Sequence, residues 1–193
     1  MRLQKTLLRG VFGPSDLGRW SNASNLLPMW NSRTIQMAAL IPAGSRVLDV
    51  GAGAMVLKDH LPERCLYTPA DLVARSPDTL VWDLNSNDWP DLPGADVVFL
   101  SGVLEYVVDL ERLLHRLYRG STFIVASYAL YPGGGRRGRL RRRSRGWVND
   151  YSQDALLSLF LHHGFHCEHM EAWYDQGLFR FRKMQIQPAF VRD

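Results

Sequence analysis

The segment Val47-Leu48-Asp49-Val50-Gly51-Ala52-Gly53 places an acidic residue and two glycines at the end of a short apolar run. Glycine lacks a Cβ and can adopt positive φ, so the backbone can approach a ligand closely at the glycine turn (residues 51–53). In an open parallel sheet, ligands bind beyond the carboxyl ends of the strands. Because the apolar run is typical of a buried strand, the spacing predicts a small-molecule site at this turn.

Two further acids help to decide which ligand this site takes. The NAD fingerprint G-x-G-x-x-G requires a third small residue at position 56, where this chain has Val56. Asp71 ends the predicted second strand, where a carboxylate can accept hydrogen bonds from ribose hydroxyls in either nucleotide class. Asp83 ends the predicted third strand. The pattern therefore favours a nucleoside-containing ligand other than NAD.

The elements that would position these residues alternate along the chain. Strands are predicted at 46–50, 65–70, 79–82, 95–100 and 121–127, and helices at 32–40, 56–61, 110–118 and 152–163. Ser152 is a predicted N-cap and Gly164 a predicted C′ residue. Segments 165–170 and 178–183 are joined by a turn too short for a crossover helix, so we expect them to pair antiparallel. The pattern predicts an α/β fold with a mostly parallel sheet and an antiparallel last strand.

From about Arg46 to Tyr128, and less strongly to about Lys183, the chain resembles the class I S-adenosylmethionine-dependent methyltransferases. The matching segments are Val47–Gly53, Ala70-Asp71-Leu72, Trp82-Asp83-Leu84 and Asp96–Tyr106, with 147–165 resembling the late helix and sixth strand. The resemblance implies a single Rossmann-like, doubly wound sheet with helices on both faces. It also implies S-adenosylmethionine as the cofactor.

The resemblance assigns roles to individual positions. The glycine turn would hold the methionine part of the cofactor, with Asp49 reaching its ammonium group directly or through water. Asp71 would take the ribose, Asp83 with Leu84 the adenine edge, and Ser101 with Gly102 the floor near the sulfonium. The implied cofactor-binding residues are Asp49, Gly51, Ala52, Gly53, Asp71, Leu72, Asp83, Leu84, Ser101 and Gly102.

The chain departs from the family pattern at three positions. Met55 replaces a third glycine and is expected to crowd the carboxylate end of the pocket, while Gly102 replaces an acidic or polar residue. Tyr106 stands where some members have histidine. Tyr106 is the candidate catalytic residue, which would orient or deprotonate the acceptor, or else simply pack on it. Asp150 and Tyr151 are candidate substrate contacts, and no His/Asp/Glu cluster suggests a metal.

Seven arginines lie between Arg136 and Arg145, and without them the chain has 23 − 7 = 16 basic against 19 acidic residues. With the glycines at 133–135 before them, they predict a mobile, Arg-rich loop over 132–146 that borders the acceptor site. Arg136 and Arg137 would contact an anionic acceptor such as a phosphorylated sugar or a lipid-linked glycan. Nucleic acid, an anionic membrane surface and a merely solvated charge run remain alternatives. Nucleic acid is not favoured, because the rest of the chain is net acidic.

The sequence predicts two segments: an N-terminal cap or lid over 1–45, with Trp20, Trp30, Asn31 and Arg33 as candidate cofactor covers, and a methyltransferase domain over 46–193. No apolar run reaches the length of about 20 residues that a membrane-spanning helix needs. With no secretory h-region at the N-terminus, the expected location is cytoplasmic. The sequence does not indicate the oligomeric state.

Three functions follow from this reading. The first is a methyltransferase that moves a methyl group to an O or N nucleophile of a small-molecule or glycan-like acceptor. The second is an RNA or protein methyltransferase that docks through Arg136–Arg145. The third is a non-catalytic cofactor-binding partner protein, suggested by Met55 and by the lack of an obvious base.

Overall fold

The computed structural model describes residues 15–185 and contains one seven-stranded sheet. Its strands occur in the spatial order β3-β2-β1-β4-β5-β7-β6. The order reverses at β1 and β4, which creates a crevice at the carboxyl ends of these two strands. The strands are β1 (Arg46–Val50), β2 (Leu66–Asp71), β3 (Leu80–Val81), β4 (Val97–Leu100), β5 (Phe123–Tyr128), β6 (Phe165–Trp173) and β7 (Gln176–Lys183).

Five α-helices accompany the sheet within the described residues. The predicted cap at Ser152 is confirmed, because its Oγ accepts a hydrogen bond from the Ala155 backbone N–H, and Gly164 has the positive φ of a C′ residue. The helices are α1 (Leu17–Trp20), α2 (Asn31–Ala38), α3 (Leu110–Gly120), α4 (Gly135–Ser144) and α5 (Gln153–His162), with 3-10 turns at Ala23–Asn25, Pro28–Trp30, Val56–His60 and Leu104–Tyr106.

The strand directions confirm the predicted α/β sheet. Strands β1 to β5 pair parallel where they are neighbours, and β7 pairs antiparallel with both β5 and β6. No helix among residues 15–185 has the length and apolar character needed to cross a bilayer.

Apolar side chains are buried on both faces of the sheet. In β4, Val98 and Leu100 belong to one core cluster, whereas Val97 and Phe99 belong to the other. Successive side chains of a strand point to opposite faces, so this fully apolar strand is covered on both sides. Helices α3 and α5 cover the first face and α2 the second.

The structure corrects the prediction for 132–146. Instead of an irregular loop, the arginines form the ten-residue helix α4, which follows a glycine turn with positive φ at Gly133 and Gly134. Arginine is a good helix former, and only the preceding glycines favour irregular backbone. Arg142 fixes the helix: it is 6% exposed and donates to the carbonyl oxygen of Ala129 at 2.6 Å.

Two smaller predictions also change. The predicted helix at 56–61 is a 3-10 turn, Val56–His60, because the left-handed Met55 before it and Pro62 after it leave too short a segment for an α-helix. Residues 1–30, whose glycines and prolines predict irregular backbone, contain α1 and two 3-10 turns in their described part. Residues 1–14 of the predicted cap and 186–193 of the predicted domain lie outside the described residues.

Candidate functional site

A cleft opens at the carboxyl ends of β1, β2 and β4, above the glycine turn. All ten predicted cofactor-binding residues line it. They come from three strand ends and one loop, which the parallel sheet brings to a single edge. The four candidate cover residues also line the cleft, namely Trp20, Trp30, Asn31 and Arg33.

The glycine turn is tied to the end of β2 by backbone hydrogen bonds. The N–H groups of Gly51 and Ala52 both donate to the carbonyl oxygen of Ala70, at 2.8 and 3.0 Å. Gly51 has φ 77°, and a Cβ added there would collide with the side chain of Val103. A larger residue cannot occupy this position without displacing the wall of the cleft.

Asp49 is a buried carboxylate on the cleft wall, only 4% exposed. The hydroxyl of Tyr67 donates a hydrogen bond of 2.8 Å to its Oδ2. Burial penalises the charged form and raises the pKa of Asp49 to about 7, although the Tyr67 hydrogen bond opposes this shift. The carboxyl therefore changes charge near neutral pH.

Asp71 is the last residue of β2 and lines the cleft. Its Oδ2 accepts from the backbone N–H of Gly53 at 2.7 Å, and its Oδ1 accepts from the backbone N–H of Val73 at 3.3 Å. Arg75 forms a buried ion pair with Oδ1 at 3.3 Å and donates to the carbonyl oxygen of Trp20 at 2.6 Å. Asp71 thus connects the glycine turn, through Arg75, to helix α1.

Asp83 lies two residues after the end of β3, and both Asp83 and Leu84 line the cleft. Its Oδ1 accepts hydrogen bonds from the Ser15 hydroxyl and from the backbone N–H of Asn85. The Asn85 side chain in turn donates to the carbonyl oxygen of Tyr106 at 2.9 Å. These contacts give the far end of the cleft both a carboxylate and an apolar side chain.

Arg33 is a buried cation at the floor of the cleft, 6% exposed. Its guanidinium donates to the hydroxyl and the carbonyl oxygen of Ser101 and to Oε1 of Gln176, which are all neutral groups. It forms no ion pair with residues 15–185; burial lowers its pKa, and the charge of the buried Glu105 carboxylate opposes this shift. The site therefore contains a positive charge that a ligand anion could neutralise.

The same guanidinium explains the glycine at position 102. Gly102 has φ 70°, and a Cβ there would collide with the guanidinium of Arg33. Where the family pattern has an acidic or polar residue, this chain has Gly102, and the guanidinium of Arg33 from α2 occupies the space that a side chain would need.

Tyr106 lines the cleft next to another aromatic side chain, Trp20. Its ring packs edge-on against Trp20, with centroids 5.1 Å apart, and its hydroxyl accepts a hydrogen bond from Nε1 of Trp147 at 3.2 Å. Burial raises the pKa of Tyr106 above its ordinary value, so the phenol is protonated at neutral pH.

The four other predicted substrate contacts do not line the cleft. Asp150 pairs with Arg142 at 2.9 Å and with Arg143 at 2.7 Å, and Tyr151 packs against the core. Arg136 and Arg137 are exposed on α4. In residues 15–185, no group of three or more His, Cys, Asp or Glu side chains is arranged to hold a metal ion.

Met55 stands at φ 56° and ψ 30°, a left-handed conformation that costs a residue with a Cβ about 1–2 kcal/mol. Met55 does not line the cleft, although Ala54 and Val56 on either side of it do. The glycine of the family pattern fits the backbone here better than methionine does.

We therefore expect Met55→Gly to stabilise the protein by about 0.5–1 kcal/mol, after the greater freedom of glycine in the unfolded chain is subtracted. Urea denaturation measures this change. Ligand affinity should stay unchanged, and the idea fails if the variant is destabilised or binds ligand differently.

Sequence reasoning missed two residues of this site, Tyr67 and Arg75, and named Arg33 only as part of a lid. Tyr67 and Arg75 support Asp49 and Asp71, and nothing in their local sequence indicates those contacts.

Comparisons with known proteins give a match in structure only. No family model matches the chain, and no curated protein matches its sequence. One similar structure is a methyltransferase in complex with the Trm112 methyltransferase activator of Haloferax volcanii, with a TM-score of 0.64 and 14% identity over 81% of this chain and 90% of that chain.

Two further structures are similar at the same level. Human N-acetylserotonin methyltransferase with S-adenosylmethionine has a TM-score of 0.63 and 16% identity, over 93% of this chain and 59% of that chain. Burkholderia thailandensis 1,6-didemethyltoxoflavin-N1-methyltransferase, with its namesake compound and S-adenosylhomocysteine, has a TM-score of 0.59 and 14% identity over 95% of this chain and 89% of that chain. The chain has the fold of the class I S-adenosylmethionine-dependent methyltransferases.

Proposed function

We propose that this protein is an S-adenosylmethionine-dependent methyltransferase that acts on an O or N nucleophile of a small-molecule acceptor. The observation that carries the proposal is a pair of opposite charges that line the cleft, one at the end of β1 and one beside the end of β4. The cleft contains a buried carboxylate, Asp49, and a buried guanidinium, Arg33, that has only neutral hydrogen-bond partners. An amino-acid ligand has the complementary ammonium and carboxylate groups.

This pair distinguishes S-adenosylmethionine from NAD. The pyrophosphate of NAD would place negative charge near Asp49, which repels it, and Val56 lines the cleft where the NAD fingerprint requires a small residue. The methionine end of S-adenosylmethionine would place its ammonium at Asp49 and its carboxylate at Arg33. A hydrogen bond between charged groups of this kind contributes about 1.5–3 kcal/mol.

The residues at the other strand ends fit the nucleoside part. A carboxylate offers about four acceptor positions. Asp71 uses three of them, for Gly53, Val73 and Arg75, which leaves one on Oδ2 for a ribose hydroxyl. Leu72 and Leu84 supply apolar surface for the adenine, and Asp83 a polar edge.

The proposed chemistry depends mainly on alignment. When bound, S-adenosylmethionine supplies an electrophilic methyl group on a positively charged sulfur. Holding two reactants in line can lower a barrier by roughly 7–11 kcal/mol. Tyr106 is a weak candidate for a general base because its hydroxyl is protonated at neutral pH, but it can orient an acceptor by donating a hydrogen bond.

The small-molecule acceptor is supported by two observations. The cleft is walled by the aromatic side chains Trp20, Trp30 and Tyr106, which suit a compact organic molecule. Proteins of similar fold include enzymes named for N-acetylserotonin and 1,6-didemethyltoxoflavin. A glycan-like or anionic acceptor would require contacts from α4, whose exposed arginines Arg136 and Arg137 do not line the cleft.

Calorimetry with S-adenosylmethionine, S-adenosylhomocysteine and NAD tests the proposal. We expect the first two to bind and NAD not to bind. Arg33→Gln should weaken S-adenosylmethionine by about 10- to 100-fold, because it removes the cation opposite the carboxylate.

Methylthioadenosine, which lacks the amino-acid part, is the matched control ligand. Its affinity should be the same for the parent and the Arg33→Gln variant. Equal weakening of both ligands would mean that Arg33 only supports the fold, and tight binding of NAD alone would refute the cofactor. Methyl transfer from labelled S-adenosylmethionine to any acceptor would exclude the non-catalytic alternative.

A further inference from the structure

Helix α4 presents a row of exposed arginines on one side. An α-helix has about 3.6 residues per turn, so Arg136, Arg137, Leu140 and Arg141 share a side that lies opposite the buried Arg142. All four are exposed, and the leucine in the middle of the row has 58% of its surface exposed. We call this side, with these four residues, the cationic face.

The charges of the cationic face are not neutralised by the described protein. Asp150 pairs instead with Arg139, Arg142 and Arg143. The guanidinium groups of Arg136, Arg137 and Arg141 form no ion pair or hydrogen bond with residues 15–185. Like charges at i and i+4, as in Arg137 and Arg141, destabilise a helix. Because Arg142 holds α4 in place, this repulsion persists until an anionic partner relieves it.

The cationic face also has an apolar side chain at its centre. Leu140 lies between the arginines along the helix, with 58% of its surface exposed. An exposed apolar side chain within a row of arginines is suited to the interfacial layer of a membrane.

We propose that the cationic face, with Leu140 at its centre, docks the protein on a bilayer surface rich in anionic phospholipid. Arginine side chains bind phosphate groups of such a surface through paired hydrogen bonds, and neighbouring apolar side chains enter the interface below them. Nucleic acid fits less well, because its phosphate backbone offers no apolar region for Leu140.

Co-sedimentation with phosphatidylcholine vesicles, with and without phosphatidylglycerol, tests the proposal at low salt. The protein should bind only the vesicles that contain phosphatidylglycerol. The triple variant Arg136→Gln/Arg137→Gln/Arg141→Gln should partition roughly 100-fold less, since each charge near an anionic surface contributes about 1 kcal/mol. Leu140→Ser should weaken partitioning several-fold without any change of charge.

Lys58→Gln/Arg64→Gln/Arg119→Gln is the matched control, because it removes three exposed charges elsewhere on the surface. It should bind vesicles like the parent protein. The proposal is overturned if the parent ignores anionic vesicles or if both triple variants lose binding equally. It is also overturned if an RNA oligonucleotide binds more tightly than vesicles and Leu140→Ser leaves vesicle binding intact. None of these readouts requires methyl transfer, so they are independent of the proposed function.

Discussion

The Asp49→Asn variant is expected to be more stable than the parent protein at pH 8 and to lose much of its affinity for S-adenosylmethionine. The pKa of Asp49 rises from 3.8 to about 7 on folding, so well below pH 3.8 the carboxyl is neutral in both states and does not change the free energy of unfolding. As pH rises from 4 to 7 the unfolded state loses this proton and the folded state keeps it. The free energy of unfolding therefore falls over this window and levels off above pH 7.

The magnitude follows from the same shift. One pKa unit corresponds to about 1.4 kcal/mol, so the advantage of Asp49→Asn over the parent should grow by about 2–3 kcal/mol between pH 5 and pH 8. Urea denaturation of both proteins without ligand, at each pH, measures the difference and cancels the titration of other groups. A pH-independent difference would show that Asp49 ionises normally.

Cofactor binding should show the opposite dependence. An ammonium group is attracted only to the ionised carboxylate, so the affinity of the parent for S-adenosylmethionine should rise with pH through about 7, and that of Asp49→Asn should not. Tyr67→Phe removes the hydrogen bond that lowers the pKa of Asp49, and should move the midpoint to higher pH. If the pH midpoint of cofactor affinity is the same in Tyr67→Phe and in the parent, the ionisation of Asp49 does not control cofactor binding.

Arg142→Ala is expected to destabilise the protein by about 3–5 kcal/mol, the range measured when one partner of a buried ion pair is removed. Arg142 pairs with Asp150 at 2.9 Å, donates to the carbonyl oxygen of Ala129 and stacks over Trp147 at 4.7 Å. In the variant, Arg143 still neutralises part of the Asp150 charge, so we expect a destabilisation near the lower end of this range. Chemical denaturation measures it, and hydrogen exchange should show that α4 opens first.

Arg141→Ala is the matched control, one residue away on the exposed side of the same helix. It should change stability by less than about 0.5 kcal/mol, as is usual for surface substitutions. If the two variants were equally destabilised, helix propensity rather than the buried contacts of Arg142 would be responsible.

The arginines show what the sequence can and cannot predict. Seven identical side chains within ten positions carry no apolar periodicity, so nothing local separates Arg142 from Arg141. What separates them is Asp150 and the carbonyl oxygen of Ala129, which reach Arg142 only in the folded chain. The predicted loop was wrong for this reason.

The cleft was far more predictable than the helix. Asp49 and Asp71 lie at the ends of β1 and β2, Asp83 follows β3, and parallel topology alone brings such strand ends to one edge. Arg33 could not be placed this way, because its partners Ser101 and Gln176 lie 68 and 143 residues further along the chain. Its burial depends on contacts of high sequence separation, which local patterns do not encode.

The position of β7 has a consequence for biosynthesis. This last strand is inserted between β5 and β6, and its Leu178, Phe179 and Phe181 are fully buried. A ribosome adds about 5–20 residues per second, so roughly 2–10 s pass between completion of β5 and the start of β7. During that interval the nascent chain exposes an apolar strand edge of the kind that aggregates. The sheet can close only after β7 has been synthesised, so newly made chains should depend on chaperones that hold unfolded segments.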